Sequence, residues 1–371
     1  MNKNLTEFKV PTEEIKFNKI FMLSDIHFGV RANSLEWVQN QLQFFEEFYI
    51  PFLKKNAKKG DVFFMLGDWF DNRQLLDIYV MNIAIDVMMK IADILPVYLL
   101  TGNHDIYKKY DTDVNSLRAF KYLKNVKIYE KPAIVTNGTS KILLLPWVGN
   151  KEKEEKYAKA NKVDYIFAHT DIAGFRYDNG RQIFKGANLT DMEGVKKLFS
   201  GHIHKRQEMG NNIYIGSPYH TKRSDIENTK GVYVLTPDED KVEFTPNTIS
   251  SIFQRIHLDM LMDYSLEDAY KILSNNYTDI IVPDKYIHLF NLTRFIDLLE
   301  DCPYKRIETR GEKVKFDDDI VGIIDGEEIK DILTLLEMSI DDLGHATDLL
   351  VKLKVLNNHY YEKAQKEEEN A

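Results

Sequence analysis

Cysteine is nearly absent: Cys302 stands alone among 371 residues. One thiol excludes an intramolecular disulfide and any multi-cysteine zinc site, so metal ligands must be nitrogen and oxygen, and it fits a reducing, cytoplasmic compartment. Long hydrophobic runs are missing too. No stretch reaches the roughly 18 uncharged apolar residues of a membrane span. The opening MNKNLTEFKVPTEEIKF lacks the apolar stretch of a secretory signal. A soluble protein without a cleaved targeting peptide is therefore expected, and no membrane partner. Positive charge is scarce: 49 Lys and Arg against 58 Asp and Glu give a formal net charge of −9. A self-sufficient nucleic-acid-binding protein usually carries a basic excess, so any polyanion would be held locally or with a partner's help. Repeats are lacking, and the only biased tract is the short Lys366-Glu367-Glu368-Glu369 tail.

What is present, 44% hydrophobic and 29% charged residues, suits two or three globular domains at roughly 100 to 200 residues each. Over the first 220 residues one local event recurs: a short apolar run ends abruptly in a cluster of Asp, His, Asn or Gly. Lys19-Ile20-Phe21-Met22-Leu23 runs into Asp25-Ile26-His27, Val62-Phe63-Phe64-Met65-Leu66 into Gly67-Asp68, and Val97-Tyr98-Leu99-Leu100 into Gly102-Asn103-His104-Asp105. Tyr165-Ile166-Phe167-Ala168 leads to His169, and Leu198-Phe199-Ser200 to Gly201-His202-Ile203-His204. Near-continuous apolar runs read as strands buried on both faces. Helical patterns separate them, the best being Leu35, Val38, Leu42, Phe45, Tyr49 and Phe52 behind an N-cap at Asn33 or Ser34. Alternating strands and helices predict an α/β fold whose strand ends share one crevice. Five polar clusters then converge on one mouth.

The motif-bearing pattern stops near residue 245, which sets domains at residues 1–248, 249–322 and 323–371. In the second, a strand-like Ile252 to Leu258, a helix-like Leu266 to Leu273 and a strand-like Lys285 to Phe290 suggest a small α+β unit. The third reads as helical from Ile329 to Leu356, with an apolar stripe that needs covering.

Every histidine before residue 220 (His27, His104, His169, His202 and His204) sits in a strand-end cluster. Alone, each would be a hydrogen-bonded structural residue. Five in like settings, with Asp25, Asp68 and Asn103, point to a site. Two divalent cations would bring four positive charges; Asp25 and Asp68, a bound hydroxide and a phosphodiester would bring the total near neutrality. That count suits metal-assisted phosphodiester hydrolysis.

In chain order, Asp25-Ile26-His27, Gly67-Asp68-Trp69-Phe70-Asp71, Gly102-Asn103-His104-Asp105, His169 and Gly201-His202-Ile203-His204 resemble the motifs of calcineurin-like metallophosphoesterases. Asp25-Ile26-His27-Phe28-Gly29, the Gly-His-Ile-His ending and the Gly216-Ser217-Pro218 loop look like SbcD-type nuclease subunits of double-strand-break repair complexes, a group that includes phage recombination endonuclease subunits. The resemblance implies a metallophosphoesterase sandwich, two mixed β-sheets flanked by helices, with a small α+β capping domain and a C-terminal helical segment. It gives one metal to Asp25, His27, Asp68 and His204 and the other to Asp68, Asn103, His169 and His202, with Asp68 as the bridge. His104 would stabilise developing charge or protonate the leaving oxygen. Asp71 either orients His104 or caps the turn ahead of Leu75 and Leu76. Asp105 and Asp171 are expected to satisfy loop backbone or ligand imidazole N–H groups. Manganese is the family's usual ion, with magnesium, iron and zinc as alternatives.

The same resemblance implies a DNA exonuclease and endonuclease acting on duplex ends or hairpins in repair, recombination and replication. It implies an SMC-like ATPase on the C-terminal helices, and a homodimer. Arg31, Arg73, Lys108, Lys109, Lys205, Arg206, Lys222 and Arg223 follow the site motifs and are candidate phosphate contacts; Tyr219 and His220 either line the same rim or pack. Two alternatives stay open: a metallophosphatase or small-molecule phosphodiesterase on the same core, and a catalytically silent scaffold of a DNA-end complex.

Overall fold

Apolar runs of four or five residues, too short for helices, form the strands that carry the site. The computed structural model describes residues 3–108, 111–190, 192–274, 276–283 and 305–310. Its first sheet contains β2 (Ile20–Leu23), β3 (Val62–Met65), β4 (Val97–Leu100) and β7 (Val126–Tyr129) as parallel neighbours, extended by the antiparallel β14 (Gly231–Thr236) and β15 (Lys241–Pro246). The second holds β1 (Thr12–Glu14), β8 (Ala133–Thr136), β9 (Lys141–Leu145), β10 (Tyr165–His169), β11 (Lys197–Gly201), β12 (Gln207–Met209) and β13 (Asn212–Tyr214), in the order β1-β8-β9-β10-β11-β13-β12. Within it β9, β10, β11 and β13 run parallel, while β8–β9 and β12–β13 are antiparallel. A short hairpin joins β5 (Ile106–Lys108) and β6 (Asp111–Asn115). The two mixed sheets expected of the sandwich are both present.

Successive side chains of each strand serve different layers. Ile20, Met22, Val62, Phe64 and Leu66 meet Ile142, Leu144, Tyr165, Phe167 and Phe199 between the sheets. Phe21, Leu23, Phe63, Met65, Val97 and Leu99 face helices on the outer side, and Leu143, Leu145, Ile166, Ala168 and Leu198 form the core on the far side of the second sheet. Both faces are buried, which is why the strands read as unbroken apolar runs.

Helix α1 (Leu35–Gln43) passes through a π-helical stretch (Phe44–Tyr49) into α2 (Ile50–Asn56). The π turn shifts the inward face, so that adjacent Phe44 and Phe45 are both buried with Tyr49. Leu35, expected in the stripe, is instead 62% exposed. Ser34 occupies the cap position but makes no side-chain cap bond, because the chain arrives through a left-handed turn with Arg31, Ala32 and Asn33 at φ 56°, 54° and 62°. Helices α3 (Ile78–Ala92) and α4 (Lys151–Ala160) complete the layers.

Beyond the sandwich, β16 (Phe253–His257), α5 (Leu258–Met262), α6 (Leu266–Ser274) and β17 (Tyr277–Pro283) follow, β16 pairing in parallel with β17, and β18 (Lys305–Arg310) adds a third strand. Phe253 and Tyr277 stack with Trp37 of α1, the Trp37 and Tyr277 rings 5.2 Å apart and inclined by 3°. By its contacts the chain divides into residues 1–309 and 310–371. The strand expected at Lys285 to Phe290 and the helices expected from Ile329 onwards lie outside the described residues. No helix among the described residues is long and apolar enough to cross a membrane.

Candidate metal centre

Strands β2, β3 and β11 end in a residue that must turn its side chain back into the crevice. Asp25, His27, Asp68 and His202 accordingly adopt positive φ, at 56°, 53°, 59° and 89°. Left-handed backbone is costly for residues with a Cβ and persists only where the surroundings enforce it. Here the loops after β2 and β3 continue the ladder: Asp25 N–H donates to Gly67 O (3.1 Å), His27 N–H to Asp68 O (3.1 Å) and Phe28 N–H to Trp69 O (2.8 Å). Glycine is required where ligands approach the backbone, since a Cβ on Gly67 would lie 2.3 Å from His169 Nδ1 and one on Gly102 2.1 Å from Asp68 Oδ1.

The seven expected ligands converge. His169 Nε2 lies 3.2 Å from Asp68 Oδ2 and 3.0 Å from Asn103 Oδ1, and His202 Nδ1 lies 2.6 Å from the same amide oxygen. On the other side, His27 Nε2 is 3.6 Å from Asp68 Oδ2 and 3.9 Å from Asp25 Oδ1, and the His27 and His204 rings are 4.7 Å apart. Three groupings emerge: Asp25 with His27 and His204, Asp68 with His169 and His202, and His27 with Asp71 and His104.

The supports of these groups are equally specific. His169 Nδ1 donates to Leu66 O (2.6 Å), freeing Nε2 for the site, and His202 Nε2 faces Asp171 at 3.3 Å. The buried Asp105 carboxylate accepts the N–H groups of Asp68 (2.9 Å), Trp69 (3.1 Å), Phe70 (3.2 Å) and Gly102 (2.8 Å). Asp71 lies against His104 as expected, but through its carbonyl and not its carboxylate. Its carboxylate accepts from His27 Nδ1 (3.0 Å), and it is its carbonyl that holds His104 Nδ1 (2.6 Å). The turn ahead of Leu75 is made by Asn72, whose Oδ1 accepts from Gln74 and Leu75 N–H.

The profile of the family described as Calcineurin-like phosphoesterase matches residues 19–206. The chain belongs to that family. It is 27% identical over 338 residues to exonuclease subunit 1 of Enterobacteria phage T4, covering 89% of this chain and 94% of the relative. A phosphoesterase-like protein of Invertebrate iridescent virus 3 is 30% identical over 229 residues, 57% of this chain and 60% of the relative.

Calcineurin-like phosphoesterases use divalent metals, and these residues fit them. His27 Nε2 and His204 Nδ1 are sequestered nitrogens without a hydrogen-bond partner, both in the Asp25 grouping. Their donor set, carboxylate, imidazole and amide oxygen without thiolate, suits manganese, iron, zinc or magnesium. The charge balance of the pocket also asks for a cation. Burial opposes ionisation of both carboxylates and raises Asp25, whereas the imidazoles of His169, His27 and His104 overcome it at Asp68 and hold that carboxyl well below its usual range. Burial opposes a charged His169, yet Asp68 and Asp25 lift it to about 9. Burial, then the charges of His27, Lys222 and Lys230, keep His204 well below the ordinary histidine value. Asp68 and His204 are thus in the form a metal ligand takes, whereas His169 holds a proton that an ion would displace.

The candidate phosphate contacts are more varied. Arg31 lies 4.4 Å over the Trp37 ring and donates to Thr221 O (3.4 Å), Lys222 pairs with Asp178 (2.6 Å), and Arg223 with the buried Asp279 (2.8 Å). Arg206 pairs with Glu208 (3.0 Å) and lies 4.5 Å over Phe244. The Lys205 N–H donates to Asp178, Arg73 and Lys108 are exposed, and Lys109 lies outside the described residues. Tyr219 and His220 pack, at 4% and 8% exposure. Unanticipated is Trp147, whose ring lies 5.0 Å from that of His202; a lone Trp after Leu145-Pro146 gives no signal by itself.

Proposed function

We propose that this protein is a metal-dependent DNA nuclease, hydrolysing phosphodiester bonds as an exonuclease and endonuclease in double-strand-break repair and recombination, with an SMC-like ATPase as partner. One observation carries this reading: the likeness to the phage exonuclease subunit covers 89% of the chain. It therefore continues past residue 248, beyond the metal core that phosphatases and nucleases share. The leaving group is not chosen by that core, so the added domains weigh in favour of DNA.

Asp25, His27, Asp68 and His204 would hold one ion, Asp68, Asn103, His169 and His202 the other, with manganese as the fitting metal. Two ions held there would lower the pKa of a bound water and offset charge on the attacking and leaving oxygens. The chain supplies the rest. The carbonyl of Asp71 fixes the His104 ring through Nδ1–H, so Nε2 is the atom left to face the substrate. Once protonated there, His104 donates to the leaving oxygen. Burial, followed by the charge of His27, lowers its basicity, which makes the protonated form a stronger acid.

Manganese-dependent degradation of end-labelled linear duplex tests the reading. We expect His104→Ala to lose a factor of about 10² to 10⁴ in turnover, the usual worth of a positioned acid, with manganese uptake unchanged. Intact DNA alongside cleavage of a generic phosphomonoester would refute the nuclease and favour a phosphatase.

A further inference from the structure

We propose that the Gly216–Tyr219 loop, together with Gln41 and Lys230, is a brace that sets the affinity of one metal position, the one lined by Asp25, His27 and His204. The inference rests on the dinuclear reading of the site and adds to it that this position has supports of its own, besides the backbone bonds by which its turn meets that of Asp68.

Gln41 is a fully buried amide on α1. Its Nε2 is within hydrogen-bond distance of Ile26 O (2.8 Å), His27 O (3.0 Å) and the Tyr219 hydroxyl (3.0 Å). The Tyr219 hydroxyl in turn donates to Ile26 O (2.5 Å). Two side chains remote in sequence thus hold the carbonyls of the left-handed turn from which Asp25 and His27 project. His27 O also accepts the Val30 N–H (3.1 Å), so Ile26 O is the carbonyl that depends on the two side chains, and each donor lost there weakens the hold on a buried acceptor.

The same loop reaches the third ligand. Gly216 takes φ 72°, and a Cβ there would lie 2.7 Å from His204 O. That close approach lets the Ser217 N–H donate to His204 O (3.1 Å), while the Ser217 hydroxyl donates to Tyr219 O (2.9 Å). The Lys230 ammonium, 3% exposed, also donates to His204 O (2.5 Å) and pairs with the buried Asp225 (2.9 Å). Asp225 closes the circuit by accepting the N–H groups of Thr221 (2.9 Å) and Lys222 (3.1 Å). His27 Nε2 and His204 Nδ1 are also the sequestered nitrogens of the site without a hydrogen-bond partner; the aim of both rings depends on the backbone the brace holds, that of His27 also on Asp71 at its Nδ1 (3.0 Å). The other position has different supports: Leu66 O on His169, Asp171 on His202, and Asp105 on the turns of Asp68 and Gly102. Gln41, Tyr219 and Lys230 are therefore positioning residues, acting through the main chain of Ile26, His27 and His204.

The test is titration of the full metal-free chain with Mn2+, free ion being read by electron paramagnetic resonance, for wild type, Tyr219→Phe and Gln41→Met. Loss of a supporting contact of this kind weakens metal binding by about 10 to 100-fold. We expect that loss at one of two positions, the other keeping its wild-type affinity. The Mn2+ needed for half-maximal activity should rise by the same factor, with turnover largely restored at saturating Mn2+. Equal weakening of both positions, or unchanged binding in both variants, overturns the proposal. Tyr219→Phe removes a single oxygen and carries the test if Gln41→Met does not fold. A wild-type chain that binds fewer than two Mn2+ overturns the dinuclear reading itself, and the brace with it.

Discussion

Asp105 is the residue on which the turn of Asp68, the expected bridging ligand, depends, although it contacts no expected metal position directly. Its carboxylate gathers four N–H groups, from Asp68, Trp69, Phe70 and Gly102. Burial and the nearby charge of Asp68 raise it to about 6, against the pull of those donors. Removing it strands several buried donors at about 1 to 3 kcal/mol each. We expect Asp105→Ala to cost about 3 kcal/mol or more in urea unfolding of the metal-free chain, and to lower Mn2+ uptake; a variant of wild-type stability would show that the turn stands without it. The sequence made Asp105 visible as a loop residue beside Asn103 and His104, but not which turn it ties. Asp71 shows the same limit. Its spacing from Asp68 put it at the site, yet only the path of the loop decides that its carboxylate serves His27 and its carbonyl His104.

Among the elements, those carrying ligands were legible because each strand is buried on both faces and breaks off in polar residues. Gln41 and Tyr219 were not, because a polar side chain in an apolar helix stripe and a tyrosine in a loop acquire meaning only once α1 and the loop after β13 meet over Ile26. His220 is a third such case. Its Nδ1 accepts the Phe253 N–H (3.1 Å), tying the loop after β13 to β16. Burial, then the charge of Lys230, lowers it to about 4. The facing charges are Lys230 and Asp225, and the latter favours the proton. Since the folded value lies below the unfolded 6.5, the unfolded chain takes up the extra proton between them. This contribution is whole above about pH 6.5 and fades as pH falls towards 4. Melting temperatures of wild type and His220→Gln at pH 7.5 and 5 should therefore differ: the wild type loses more on acidification. Equal losses would show that His220 bears no part of the acid sensitivity.

At the scale of the whole molecule, the formal net charge of −9 has to be reconciled with the polyanionic substrate proposed for it. The candidate cations do not form a free basic surface. Arg31 is stacked on Trp37, and Arg206, Lys222 and Arg223 are paired with Glu208, Asp178 and Asp279. Arg73, Lys108 and Lys205 have no side-chain ion pair among the described residues. Each phosphate neutralised on B-DNA contributes about −0.9 to the slope of log affinity against log salt. About three contacts then predict a slope near −3 for duplex binding by the chain alone, measured by fluorescence anisotropy across a potassium chloride series. If the proposed SMC-like ATPase is the partner, adding it should steepen the slope, because counterions are then released from its surface as well. A slope steeper than about −6 for the isolated chain would mean that it carries a broad basic face of its own and that the partner is not needed to hold DNA.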